Sequence, residues 1–397
     1  MKSHKFLLPL IFLTALLSPA VAKADLALKV GNPEKPLSIT PIGTLLLDGA
    51  VFAGEDKKDF PDGVAIPEVR LGFQLGYGKW SGKLEAGFAY GKVGLKDCYL
   101  QYDFNPRHFL RAGLMLHHFG YQNSTAACMK VTFYEPLSNS VFNEAHQIGV
   151  SYYYHSPKWF ATAAVHAEPM ATTVLMGPDQ LTHLGVGARA RLVARPVIND
   201  VNKIQVGFSG AFATPQYARS ADSDGDPHDL FTFGANFPSK VVQMRAIESR
   251  VSHSRNLFKL TPELMLNHGR VALETQYFWM QVNRHDGLKP YRAQGTYVNL
   301  RGLILGKTYP YSDTLAGIGT PSAGSLEAVL SYNYTSLSDA TAGIIGGRVN
   351  DLSCTVNYYI NRYMVAKLRY SYTHTFDRAG FDPESINAIQ ARLQFIF

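Results

Sequence analysis

The chain has 397 residues and a formal charge of +7, with 17% charged, 12% aromatic and 46% hydrophobic residues. Charge this sparse against the roughly 25% of soluble proteins, with rings this frequent, excludes a disordered chain, a basic nucleic-acid arm and a polytopic helical membrane protein. Three cysteines, no two at metal-ligand spacing, exclude a disulfide framework.

Residues 1–24 read as an export signal. Lys2 and Lys5 form a positive start, Phe6 to Leu17 an apolar stretch too short to span a bilayer, and Ala22-Lys23-Ala24 a small-x-small cleavage site. Cleavage before Asp25 removes three lysines and no acid, leaving +4 of the formal +7. Residues 25–41 are expected to be a periplasmic lead-in to a barrel over 42–397.

From Ile42 onward the dominant signal has period 2. Leu184, Val186, Ala188, Ala190 and Leu192 alternate with Arg189, Arg191 and Arg195. The same split recurs at Leu326 to Tyr334, Leu352 to Tyr358, Met364 to Thr373 and Ile389 to Phe397. Alternation over about ten residues describes a strand with one apolar and one polar face. No segment has helical periodicity of useful length, so the chain reads as all-β.

The apolar faces carry Ala, Gly and Leu in mid-strand. Amphipathic rings gather near strand ends: Tyr77, Trp80, Tyr152, Tyr154, Trp159, Trp279, Tyr332, Tyr334, Tyr370 and Tyr372. A membrane interface selects that placement. Lys96 is the one charge on the apolar side, and the last strand closes on Phe397. A transmembrane antiparallel β-barrel is therefore expected, with a secreted β-sandwich as the alternative fold.

Seventeen candidate strands lie between 42 and 397, whereas bacterial single-chain barrels close with an even number. Segment 238–250 has the poorest alternation and carries Lys240, Arg245, Glu248 and Arg250. Assigning it to a long loop at 215–255 leaves about sixteen strands, the size that encloses water. Short turns such as Gly78 and Asn105-Pro106-Arg107 then alternate with long loops such as 118–144 and 215–255. Two connections break the rhythm: 306–323 is long where a turn is expected, and Gly91 to Val93 short where a loop is expected.

With the polar face inward, the lumen receives Arg70, Lys83, Arg111, Arg189, Arg191, Arg195, Lys259, Arg301, Lys367, Arg369 and Arg392. Against them stand Asp48, Glu85, Asp97, Asp103, Glu263, Glu274, Glu327 and Asp351. This excess of bases either draws anions along an arginine track, with Arg189, Arg191 and Arg195 stacked on one wall, or is spent on pairing with the acids.

Three stretches carry a family resemblance: Gly324-Ser325-Leu326-Glu327 through Tyr334, Gly346 to Asn361, and Asn387 to Phe397. With the Asp48 and Arg70 regions, they resemble the phosphate-selective porins O and P. The likeness runs from about Gly43 to Phe397 and is most specific over the last 75 or so residues. It implies a trimer of sixteen-stranded barrels whose third and fifth external loops enter the lumen, with phosphate or similar anions moved by Arg and Lys. The family's paired arginines in the second strand fall on Pro67 and Glu68, leaving Arg70 as the nearest base. Its fifth-loop arginines are thinned to Lys240, Arg245 and Arg250, and a third-loop lysine falls on Lys130.

Other constellations read as structural. Asp222 to Asp226 has its glycine too early for a calcium loop. His117 and His118, adjacent on a strand, point to opposite faces and cannot share a metal. Ser151 and His155 share an inward face without an orienting acid. The cysteines are expected as free thiols, Cys98 and Cys354 toward lipid and Cys128 in the third loop. The expected function is an outer-membrane porin passing small anions by diffusion, with no cofactor, no catalysis, no metal and no nucleic acid. A non-selective porin, or an occluded barrel serving as an enzyme or adhesin, is the alternative.

Overall fold

A computed structural model describes residues 27–397 apart from 55, 144–145, 168–180, 184, 216 and 219–228. The export signal, the Asp222 to Asp226 stretch and most of the loop expected at 169–182 lie outside the described residues.

Among the described residues, sixteen strands close into one antiparallel barrel. In chain order they are β1 Leu37–Ala53, β2 Gly63–Tyr77, β3 Trp80–Gly87, β4 Gly94–Asn105, β5 His108–Met115, β6 Gln147–His155, β7 Trp159–Ala167 and β8 Val186–Ile198. The second half is β9 Asn202–Ala213, β10 Ser254–His268, β11 Val271–Arg284, β12 Tyr291–Leu305, β13 Leu326–Asp339, β14 Ile344–Tyr359, β15 Met364–Arg378 and β16 Glu384–Ile396. Each pairs with its neighbours in sequence, and β1 closes the ring on β16 with Asp48 opposite Arg392. Closure leaves no sheet edge without partners, which a bilayer demands because lipid offers no hydrogen bonds.

The apolar rows face outward. Leu352 is 57% and Ile389 56% exposed, while the in-facing Ser353 and Gln390 next to them are buried. A sandwich would show the reverse. Phenols crown the outer wall and reach polar partners near its ends: Tyr332 donates to Asn350 at 2.8 Å and Tyr370 to Asn387 at 2.7 Å. At the opposite end Trp80 packs at a tilt against Tyr102, ring centroids 4.8 Å apart.

Segment 238–250 is indeed absent from the wall. Its strand Arg245–Val251 pairs only with Phe231–Asn236, forming a separate hairpin. The lead-in is shorter than expected, however: β1 starts at Leu37, five residues before Ile42. Leu28–Val30 pairs back on Leu37 to Ile39, occupying the edge that β16 vacates once it ends. Backbone bonds in both directions join Gly43 to Phe397 at 3.0 and 3.1 Å.

Three segments leave the wall and enter the barrel. The first is 116–146, with short helices α1 Gly120–Asn123 and α2 Leu137–Phe142. Phe142 of α2 stacks on Phe278 of β11 at 5.4 Å, and a Cβ at Gly295 of β12 would lie 2.9 Å from Phe142 and Ser138, so glycine there admits the helix. The second is the 231–251 hairpin, whose Phe231, Phe233, Ile247 and Val251 join Leu137, Tyr291 and Val349 in one buried cluster. The third is 306–325, the long connection between β12 and β13, which rises from the end where the tight turns lie.

Gly43 has the ring of Phe397 against its Cα face, leaving no room for a Cβ. Gly43→Val is expected to cost about 1–3 kcal/mol of barrel stability through overpacking. A lower yield of the compact, heat-modifiable band on unheated gels would register it.

Candidate functional site

A segment inside a polar barrel carries backbone carbonyls into a space with little water, and each needs a donor. The inward bases supply them. Lys367 donates to the carbonyl of Lys130 at 2.7 Å and Lys259 to that of Phe142 at 2.9 Å. Arg392 reaches the carbonyl of Phe133, and Arg369 that of Pro238 at 3.2 Å. Arg191 reaches the carbonyls of Leu315 and Ala316 at 2.8 and 3.1 Å, and Arg195 that of Asp313 at 2.6 Å.

Several of the inward arginines also meet acids. Arg392 holds Asp48 in a fork at 2.6 and 2.7 Å. Arg191 holds Glu263 at 3.0 and 2.6 Å, and Arg301 lies between Glu327 at 2.8 Å and Glu274 at 3.3 Å. Arg369 meets Asp351 at 2.8 Å, and Arg195 meets Asp313 at 2.9 Å. Arg189 binds Gln147 at 2.8 Å and His166 at 3.1 Å. The structure thus does bring Arg189, Arg191 and Arg195 onto one inner wall, each engaged with protein.

Space for solvent lies along β1 to β6, with Arg392 of β16 and the 231–251 hairpin also bordering its loop end. A cavity of about 470 Å³ at the loop end borders one of about 160 Å³, which leads toward a third of about 440 Å³ at the turn end. The first two share Glu68, Arg70, Leu116, Ala127 and His146. The three cavities follow one another down one wall, while the infolded segments fill the opposite half.

Arg70, Lys130, Lys240, Arg245 and Arg392 all border the outer cavity, against Glu68 and Glu135. That is five bases to two acids. Lys240 is exposed there, with its ammonium over the Tyr134 ring at 5.9 Å, and Arg245 pairs with Glu248 at 2.7 Å. Lys130 is buried, donating to Thr125 at 2.8 Å and to the Gln122 carbonyl, and burial pushes its pKa down. The narrow middle cavity is balanced: Arg70, Lys83 and Arg111 against Glu68, Glu85 and Asp97. There Arg70 meets Glu68 and Glu85, Lys83 meets Asp97 at 2.7 Å, and Arg111 donates to Gln101 at 2.8 Å beneath the Tyr99 ring. Arg189, Arg191, Arg195, Arg250, Arg301, Lys367 and Arg369 border none of the three.

Two expectations change. Strand β5 stops at Met115, so His117 and His118 are not on a strand and do not diverge. His117 stacks on His166 at 5.1 Å and His118 packs on Phe160, both inside the wall. The residue facing Ser151 is His117, at 2.7 Å, not His155. Burial first, and the Arg189 charge second, push the His117 imidazole down to about 4, so it stays neutral near pH 7. Ser151 is 1% exposed, which leaves a substrate no approach. All three cysteines are free thiols, with Cys128 bordering the middle cavity. Among the described residues no three His, Cys, Asp or Glu side chains converge to hold a metal.

The sequence reading missed the site residues of 306–325. Tyr309 donates to Glu327 at 2.9 Å, Tyr311 to Gln205 at 2.7 Å, and Asp313 and Leu315 face the arginines of β8. The unexpected length of that connection was their only signal.

The sequence profile of the phosphate-selective porin O and P family matches residues 47–397. No curated protein sequence matches the chain. Among solved structures, the anion-selective porin of Comamonas acidovorans superposes with a TM-score of 0.57 at 11% identity, covering 91% of this chain and 100% of that one. The trimer form of OmpT, an outer membrane protein of Vibrio cholerae, gives 0.55 at 12% identity, covering 91% and 99%.

Asp48→Asn leaves Arg392 buried without its counter-charge and is expected to cost about 3–5 kcal/mol, while Asp48→Asn with Arg392→Met costs less than the single change. Urea unfolding of the barrel in lipid, followed by tryptophan fluorescence, checks both.

Proposed function

Starting from the family of phosphate-selective porins O and P, to which this chain belongs, we propose that it is a passive channel whose outer vestibule concentrates small anions. The observation that carries this is the outer cavity, lined by five bases and two acids and bordering the middle cavity through shared residues. A concave site with low-dielectric walls and excess positive charge raises the local concentration of anions and repels cations, an effect that salt weakens.

Within this reading Lys240, with Arg70, Lys130 and Arg245 around it, attracts the anion, Arg392 is neutralised by Asp48, and Arg111 lines the path onward. Phosphate is the permeant suggested by the family. The balanced charges of the middle section favour the alternative of a porin with little ion preference, because a neutral constriction does not sustain what the vestibule begins. The proposal includes export through a cleaved signal, residence in the outer membrane with lipid around the wall, and no enzymatic role.

A homotrimer also belongs to it, supported by the family and by the trimer form of OmpT. Strands β3 and β5 have eight residues, where a spanning strand needs about 9–11. That low wall is the side on which a neighbouring subunit replaces lipid.

Lys240→Glu with Arg245→Glu is expected to lower the anion-to-cation permeability ratio by about two- to fivefold at low salt, and by less at high salt. Reversal potentials across potassium chloride and potassium phosphate gradients in planar bilayers measure it. An unchanged ratio removes the vestibule from selectivity, and a barrel without conductance removes the channel.

A further inference from the structure

The middle cavity, at about 160 Å³, is the smallest of the three, and Ser124 and Leu315 line it with Arg70, Lys83 and Arg111. Ser124 follows α1 in a segment that enters from the loop end. Leu315 lies in the connection that enters from the turn end. The two belong to segments nearly two hundred positions apart, yet one guanidinium holds both. Arg191 donates to the Ser124 hydroxyl at 3.1 Å and to the Leu315 carbonyl at 2.8 Å, while its other bonds fix it to Glu263 of β10 and to the Ala316 carbonyl. Arg191 itself is 1% exposed and does not border the cavity.

Accepting the channel reading above, we propose that Arg191 is the positioning residue that keeps the constriction open. It pulls from the side of β8 and β10, away from the Arg70, Lys83 and Arg111 wall, so the two segments are drawn back from the passage. A planar fork with five donors in fixed directions meets a carboxylate and two segments at once, and a lysine ammonium does not reproduce that geometry. Release of the fork lets Ser124 and Leu315 lean into the narrow section. The effect is on bore and not on charge, since Glu263 already balances the guanidinium.

The test uses the full-length barrel in planar bilayers, with Arg191→Lys and Ser124→Ala compared against the wild type. At 1 M potassium chloride, where the screening length is about 3 Å, surface charge hardly affects conductance and bore dominates. Conductance of Arg191→Lys is expected to fall to about half or below, with added current noise, and neutral polyethylene glycols to be excluded at a smaller size. The reversal potential in a salt gradient stays where it was. Ser124→Ala moves conductance and polymer cut-off the same way by a smaller factor, and it alone decides the matter if Arg191→Lys yields no folded barrel. An unchanged cut-off, or a shifted reversal potential at unchanged high-salt conductance, overturns the proposal and makes Arg191 an ion-contacting charge. A wild-type barrel without conductance overturns the channel reading instead.

Discussion

Backbone carbonyls brought inside a barrel must be met by donors, and that requirement organises this lumen. The wall is polar because every second strand residue points inward, and some amides meet the infolded segments: Gln205 donates to the carbonyl of Ala316 at 2.8 Å, Asn357 to that of Val131 at 3.0 Å and Gln390 to that of Pro238 at 2.9 Å. Arginine and lysine reach as well. Arg191, Arg195, Arg369 and Arg392 each meet an acid and also hold a carbonyl of 116–146, 231–251 or 306–325, while Lys259 and Lys367 hold carbonyls of 116–146.

This division explains how a lumen rich in arginine is not uniformly attractive to anions. A buried charge costs several kcal/mol unless it is paired and hydrogen-bonded, so several of the deep arginines are matched to acids. Asp48 with Arg392, Glu263 with Arg191 and Asp351 with Arg369 leave little field for a passing ion. Uncompensated charge survives only where water enters. That is the outer cavity, at Lys240 and its neighbours. The filled half fixes the position of the passage, and the open half fixes its electrostatics.

Much of the architecture was legible because period 2 is a strong signal when one face meets lipid. A single slip of register would bury arginine in hydrocarbon, so the pattern over 184–195 or 388–397 admits one orientation. The odd strand count was also informative: Lys240, Arg245, Glu248 and Arg250 made 238–250 a poor wall, and it lies inside as a hairpin. What failed was local or needed partners far away in sequence. The start of β1 at Leu37 depends on pairing with Gly72 to Gly76, which the sparse alternation of Ser38 to Ile42 does not display. The inward turn of both His117 and His118 follows from the strand ending at Met115, a boundary without a glycine or proline to mark it. Nor does any local pattern tell whether Arg191 faces water or a carbonyl. Its partners Ser124 and Leu315 come from two other connections.

The claim that water runs along one wall while the other is filled is tested most directly by placing single thiols in a background with Cys98, Cys128 and Cys354 replaced by serine. Gln101→Cys borders the turn-end cavity of the β1 to β6 side, whereas Thr355→Cys lies on the packed side and is fully buried. A water-soluble charged methanethiosulfonate is predicted to reduce single-channel current at position 101 and leave it unchanged at 355. Block at 355 with none at 101 would contradict the account.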